Sequence, residues 1–164
     1  MRIPLFLIAA ICLASVAEGQ QKKQPPNYTR IEEGLYLGGW TEKPPEGVTA
    51  VLNVSTEKDV YQTKHYLWKG IKDGKDGATI AFLKETVAFV DEQRNAGRPT
   101  FVHCRQGVSR GPLVVTAYLM YSKKWSRDKA LAFIREQRPV IRPNDSFMEL
   151  LLVWQRTLEK GEAK

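Results

Sequence analysis

Cys104 and Arg110, separated by five residues, sit between an apolar run and an amphipathic one, and this segment constrains the fold more than any other. The lead-in is Pro99-Thr100-Phe101-Val102-His103. The lead-out is Gly111-Pro112 followed by Leu113 to Tyr121. A short run rich in apolar residues, a Gly/Ser break and then helical spacing predict strand, tight loop and helix. Pro112 suits the first turn of that helix, where no N–H is needed. Such a loop turns successive backbone N–H groups inward and ends at a helix N-terminus, which makes a cradle for anions. A cysteine at its base lies in a field that favours the thiolate. An arginine at its far end can offer a planar fork to two oxygens of a tetrahedral oxyanion. A lone cysteine is often only a small buried apolar side chain. This one stands in a polar, arginine-flanked loop and is read as a reactive thiol.

The remaining segments predict the layers around this unit. Leu35-Tyr36-Leu37-Gly38 and Val51-Leu52-Asn53-Val54 have the character of short strands, the second apolar enough for burial on both faces. Thr41 to Gly47 is a loop with room for a turn of helix, and Lys69 to Gly77 is a loop rich in glycine and aspartate. Ile80, Leu83, Val87 and Val90 share a helical face that stops near Gly97. Ser126 can cap a helix through Glu136, and Ser146 with Glu149 has the spacing of a capping box for a last helix. Strands alternating with helices give an α/β fold with a central, mainly parallel sheet flanked by helices. The cysteine loop then lies at the carboxyl end of a strand, where such sheets bind ligands.

The stretch His103-Cys104-x5-Arg110 resembles the signature loop of the protein tyrosine phosphatase superfamily. Ile31 to Gly39 resembles the opening strand of its dual-specificity type, and Val51 to Val54 the next buried strand. Arg138-Pro139-Val140-Ile141-Arg142-Pro143-Asn144-Asp145-Ser146-Phe147 is similar to the R-P-x-I-x-P-N-x-x-F segment of that family. Together these marks run from about Tyr28 to Leu158 in the family's order. The resemblance implies a protein tyrosine phosphatase-like fold and metal-independent phosphomonoester hydrolysis through a phosphocysteine.

The resemblance also implies roles. Cys104 is the nucleophile. Arg105, Gln106, Gly107, Val108, Ser109 and Arg110 form the phosphate cradle. His103 orients the loop and keeps the cysteine ionised, and Asn144 braces the loop. The general acid is an aspartate on the loop before the long helix. Asp73 is the first choice, 31 residues before Cys104, and Asp76 the alternative. Trp68 either flanks the substrate or packs. Two positions depart from the family pattern. Gly111 replaces the hydroxyl residue that follows the arginine and helps the thiolate leave, so turnover is in question and Ser109 is a candidate substitute. Gln106 replaces a small residue at the rim. Intact Cys104, Arg110 and Asp73 favour an enzyme. Gly111 favours a phosphate-binding module of the same fold, and a rhodanese-like sulfurtransferase fits the His103–Cys104 pair and the arginine spacing poorly.

The N-terminus has the pattern of an export signal: Met1-Arg2, an apolar stretch from Ile3 to Leu13, and Ser15-Val16-Ala17 before a cleavage point. The expected organisation is a signal peptide at 1–17, a linker at 18–27 and a catalytic domain at 28–160. The expected location is periplasmic or extracellular, with no stable membrane insertion after cleavage. Cys104 is then the one cysteine left, with no intramolecular partner. The formal net charge of +7 suits anionic substrates. No basic–aromatic interleaving points to nucleic acid, and no ligand-spaced cluster points to a metal. The expected partner is a phosphorylated protein or a small phosphomonoester such as a phosphoinositide, inositol phosphate or sugar phosphate. No cofactor is expected, and the chain is expected to act as a monomer.

Overall fold

The computed structural model describes residues 27–162. Among them, β1 (Tyr28–Glu32), β2 (Leu35–Gly38), β3 (Ala50–Asn53) and β4 (His65–Trp68) precede α1 (Ile80–Asn95). Then come β5 (Thr100–His103), α2 (Arg110–Lys123), α3 (Arg127–Gln137) and α4 (Asp145–Glu159). The sheet order is β1-β2-β5-β3-β4. β2, β5, β3 and β4 run parallel, and β1 returns antiparallel along β2. The central, mainly parallel sheet matches the sequence reading. The expected signal peptide and all of the linker except Asn27 lie outside the described residues.

β5 takes the middle of the sheet because all four of its residues are buried and both of its edges are paired. Its register sets Gly38, His103 and Asn53 side by side at the carboxyl ends of three strands. One face of the sheet meets the main core, where Leu37, Leu52 and Val102 join apolar residues of all four helices. The opposite face is smaller. Val48, Val51 and Phe101 are covered there by Tyr28, Tyr36, Tyr61 and Tyr66. α2 runs through the core with every residue from Arg110 to Met120 buried.

Four segments differ from the sequence reading. β1 and β4 are edge strands that the apolar pattern does not mark, because half-exposed edges carry mixed residues. Thr41 to Gly47 forms bends and a turn without helix. α4 begins at Asp145, capped by Asn144, whose Oδ1 accepts from the Phe147 N–H at 3.0 Å. Ser146 therefore sits in the first turn instead of capping. Pro143 holds the approach to Asn144 extended, and asparagine caps as well as serine does. Asn27, assigned to the linker by sequence, is part of the domain. Its carbonyl accepts from the Gly39 N–H at 2.8 Å and its side chain accepts from Arg138 at 2.9 Å.

Candidate active site

β5 delivers Cys104 to the start of a loop that ends on the first turn of α2. Cys104 is buried, and its Sγ accepts from the Gly107 N–H at 3.3 Å. That contact requires a tight reversal, and Gly107 adopts φ +70° to make it. A Cβ at Gly107 would come within 2.3 Å of the Gly38 carbonyl carbon, so only glycine fits between this loop and the end of β2.

Arg138 locks the loop from below. Its buried guanidinium donates to the carbonyls of Gly107 at 3.0 Å and Gln106 at 3.3 Å, to Thr29 Oγ1 and to Asn27 Oδ1. Burial pulls its pKa below the ordinary arginine value, and nearby Cys104 acts in the opposite sense. Arg142 adds a backbone brace through its N–H to the Val108 carbonyl at 2.6 Å.

Above the loop lies a pocket of about 360 Å³, lined by Cys104, Gln106, Val108, Ser109, Arg110, Asp73 and Asn144 among others. Arg110 is buried beside Cys104, and its Nη1 donates to the Ile71 carbonyl at 3.1 Å. Its Nε is enclosed without a protein partner, a donor available to an oxyanion. One carboxylate oxygen of Asp73, Oδ1, accepts from both Ser109 Oγ and Asn144 Nδ2 at 2.7 Å. Ser109 Oγ in turn accepts from the Asn144 N–H at 3.2 Å. The loop before α1 is thereby tied to the nucleophile loop and to α4.

The structure thus gathers Cys104, Gln106, Val108, Ser109, Arg110, Asp73 and Asn144 around one pocket. Gly107 contributes its backbone. Asp76 is exposed and does not line that pocket. Arg105 turns away to an exposed ion pair with Glu57 at 3.3 Å, on a separate depression with Trp40 and Ser55. Trp68 does not line the catalytic pocket. Its Nε1 donates to the Ser55 carbonyl at 2.9 Å. Ser109 Oγ is committed to Asp73 and Asn144, not to the thiol. At Gly111 a Cβ would lie 3.0 Å from Leu37 Cδ1, so a larger residue there must push into the core.

His103 lies under the loop with its side chain fully enclosed, and its Nε2 is 2.9 Å from Asp59 Oδ2. Asp59 and Arg138 were given no role by the sequence. Arg138 stands in a recognisable segment, but its partners are carbonyls and side chains from 31 to 111 positions away. Asp59 belongs to a polar loop without periodicity, and no sequence signal singles it out. Among the described residues no group of three or more His, Cys, Asp or Glu side chains could hold a metal ion, and no helix is long and apolar enough to cross a membrane.

A thiol at the base of a glycine-turned loop, closed by a buried arginine at the carboxyl end of a central parallel strand, defines the class of cysteine-based phosphatases. Within that class, a family model described as the dual specificity phosphatase catalytic domain matches residues 35–157, and the chain belongs to that family. It is 37% identical over 108 residues to human dual specificity protein phosphatase 1, covering 65% of this chain and 29% of that protein. It is 32% identical over 143 residues to mouse protein phosphatase Slingshot homolog 3, covering 82% of this chain and 22% of that protein. The chain therefore spans less than a third of either relative. Among solved structures, a mouse dual specificity phosphatase complexed with zinc tungstate superposes with a TM-score of 0.80 at 26% identity, covering 90% of this chain and 98% of that one. Human DUSP28 gives a TM-score of 0.75 at 30% identity, with 82% and 97% covered.

Proposed function

We propose that this chain hydrolyses phosphomonoesters through a phosphocysteine. The observation that carries the reading is the pairing of Cys104 Sγ, held by the Gly107 N–H, with the buried Arg110 Nε that no protein group satisfies. The thiolate attacks phosphorus in line, forming the S–P bond as the P–O bond to the leaving group breaks. Loop N–H groups from Arg105 to Arg110 and the Arg110 guanidinium hold the equatorial oxygens as charge develops. Asp73 is the general acid. Its Oδ1 is fixed by two donors, so Oδ2 is the oxygen that carries a proton to the leaving alkoxide or phenoxide. The same carboxylate then takes a proton from water as that water attacks phosphorus and releases the thiolate. Gln106 and Val108 line the pocket as contacts for the ester, and Asn144 holds Asp73 in place.

Hydrolysis of p-nitrophenyl phosphate by the full chain, in reductant and without metal, tests this. Turnover is expected, with loss in Cys104→Ser and strong reduction in Asp73→Asn. Folded, reduced protein that releases no p-nitrophenol would overturn it. One observation favours a second reading, a phosphate-binding module with little turnover. Gly111 offers no hydroxyl, and that of Ser109 is engaged elsewhere. A single stoichiometric burst would select it. Phosphopeptides compared with inositol, lipid and sugar phosphates would then rank the substrates. The proposed export rests on Met1 to Ala17 alone, and a mature N-terminus at Glu18 on protein recovered outside the cytoplasm tests it.

A further inference from the structure

We propose that Asn27 is a positioning residue for the nucleophile loop: it holds Arg138 and the end of β2, two supports that turn the loop's carbonyls outward and so aim its N–H groups at an oxyanion. The effect on hydrolysis rests on the phosphatase reading above, and the effect on anion binding does not. Within one planar peptide, the carbonyl of one residue and the N–H of the next point in opposite directions. Fixing a carbonyl therefore fixes the N–H that follows it. Successive carbonyls of the loop are held from outside. That of Arg105 accepts from the Trp40 N–H at 2.9 Å. That of Gln106 accepts from Arg138 Nη2 at 3.3 Å, and that of Gly107 from Arg138 Nε at 3.0 Å. That of Val108 accepts from the Arg142 N–H at 2.6 Å. The N–H groups of Gln106, Gly107, Val108 and Ser109 are thereby turned the other way. For Gly107 the outcome is direct, since its N–H donates to Cys104 Sγ at 3.3 Å.

Asn27 reaches two of these supports. Its Oδ1 accepts from Arg138 Nη2 at 2.9 Å, the nitrogen that also donates to the Gln106 carbonyl. Thr29 Oγ1 takes Arg138 Nη1 at 3.3 Å, so the N-terminal segment fixes one side of the guanidinium while the loop takes the other. The backbone carbonyl of Asn27 accepts from the Gly39 N–H at 2.8 Å, one residue before the Trp40 N–H that holds Arg105. The fit is close. A Cβ at Gly39 would lie 2.1 Å from Asn27 Nδ2 and 2.9 Å from the Arg105 carbonyl oxygen. Asn27 and the nucleophile loop thus close on the end of β2 from two sides. Asn27 itself is exposed. An exposed polar residue outside helix and strand ordinarily costs little to replace. Here the side chain supplies an acceptor that sets the plane of Arg138. Alanine removes that acceptor, and aspartate keeps it.

Calorimetric titration of the full chain with tungstate, a tetrahedral oxyanion, tests the role. Asn27→Ala is expected to weaken binding about tenfold, because losing one hydrogen bond to a charged group frees Arg138 to turn from the loop. Its melting temperature without the anion should stay close to that of wild type. Asn27→Asp should restore tungstate binding. The kcat/KM for p-nitrophenyl phosphate should follow the tungstate affinity across the three proteins. Unchanged affinity in Asn27→Ala, with or without a lower melting temperature, overturns the proposal, as does a wild type that binds no tungstate. Equal loss in Asn27→Asp overturns it too, since the acceptor is then irrelevant. Should Asn27→Ala fail to fold, Asn27→Gln, which moves the acceptor by one methylene, carries the same expectation. Tungstate binding that depends on Asn27 in protein that hydrolyses no phosphomonoester defeats the phosphatase reading alone. Hydrolysis and tungstate binding that are both indifferent to Asn27 defeat the positioning role alone.

Discussion

At the scale of single residues, Gly107 shows how little freedom the nucleophile loop has. A methyl group there meets the backbone of Gly38 and Gly39 at 2.3 to 2.6 Å and must also accept φ +70°. Gly107→Ala is expected to cost about 2 kcal/mol or more from the left-handed backbone and overpacking. Urea denaturation should show this together with loss of p-nitrophenyl phosphate hydrolysis, and wild-type stability in the variant would contradict it. Arg138→Ala removes the donor shared by Gly107, Gln106, Thr29 and Asn27. The expected loss is about 3 kcal/mol, because buried acceptors are left unpaired. Arg138→Lys should not restore it, since an ammonium cannot reproduce the planar fork. A lysine variant as stable as wild type would show that charge alone suffices. Cys104 and Arg110 are legible in the sequence because their spacing and flanks lie in one short segment. The support given by Arg138 and Asp59 depends on partners that only the folded chain brings near.

At the scale of elements, the start of α4 does two jobs through one side chain. Asn144 Oδ1 caps the helix on Phe147, while Nδ2 donates to Asp73. Serine keeps an acceptor for the cap but has no donor that reaches Asp73 in this geometry. Asn144→Ser should therefore melt close to wild type. It should lose activity on alkyl phosphates, whose leaving groups need the acid, more than on p-nitrophenyl phosphate. Equal loss on both would show that Asn144 does not act through Asp73. The sequence marks Asn144 by resemblance, yet it sets the cap at Ser146. A Ser-x-x-Glu spacing outweighs a Pro-Asn pair only until the direction of the incoming chain is known. The edge strands β1 and β4 escape the sequence for a related reason. Their order comes from pairing with β2 and β3, not from an apolar alternation of their own.

At the scale of the whole molecule, the sheet divides the interior unequally, and its pH response follows from that division. The helical face is apolar, whereas the opposite face is roofed by tyrosines. Burial raises the Tyr61 pKa strongly, and the negative charge of Asp59 adds to it. Burial also raises Tyr66, and it raises Tyr118 in the helical core. In the unfolded chain these phenols ionise near the ordinary value of 10.0, while the folded chain keeps them neutral to higher pH. Their contribution is thus complete below pH 10 and is lost as pH rises from there towards the folded values. The melting temperature should fall steeply between pH 10 and 12. Tyr61→Phe should flatten that fall, and at pH 7 it should cost little, because the Tyr61 hydroxyl is buried without a hydrogen-bond partner. An alkaline fall identical in Tyr61→Phe and wild type would assign the loss to other groups and would show that the tyrosine roof opens to solvent before the sheet unfolds.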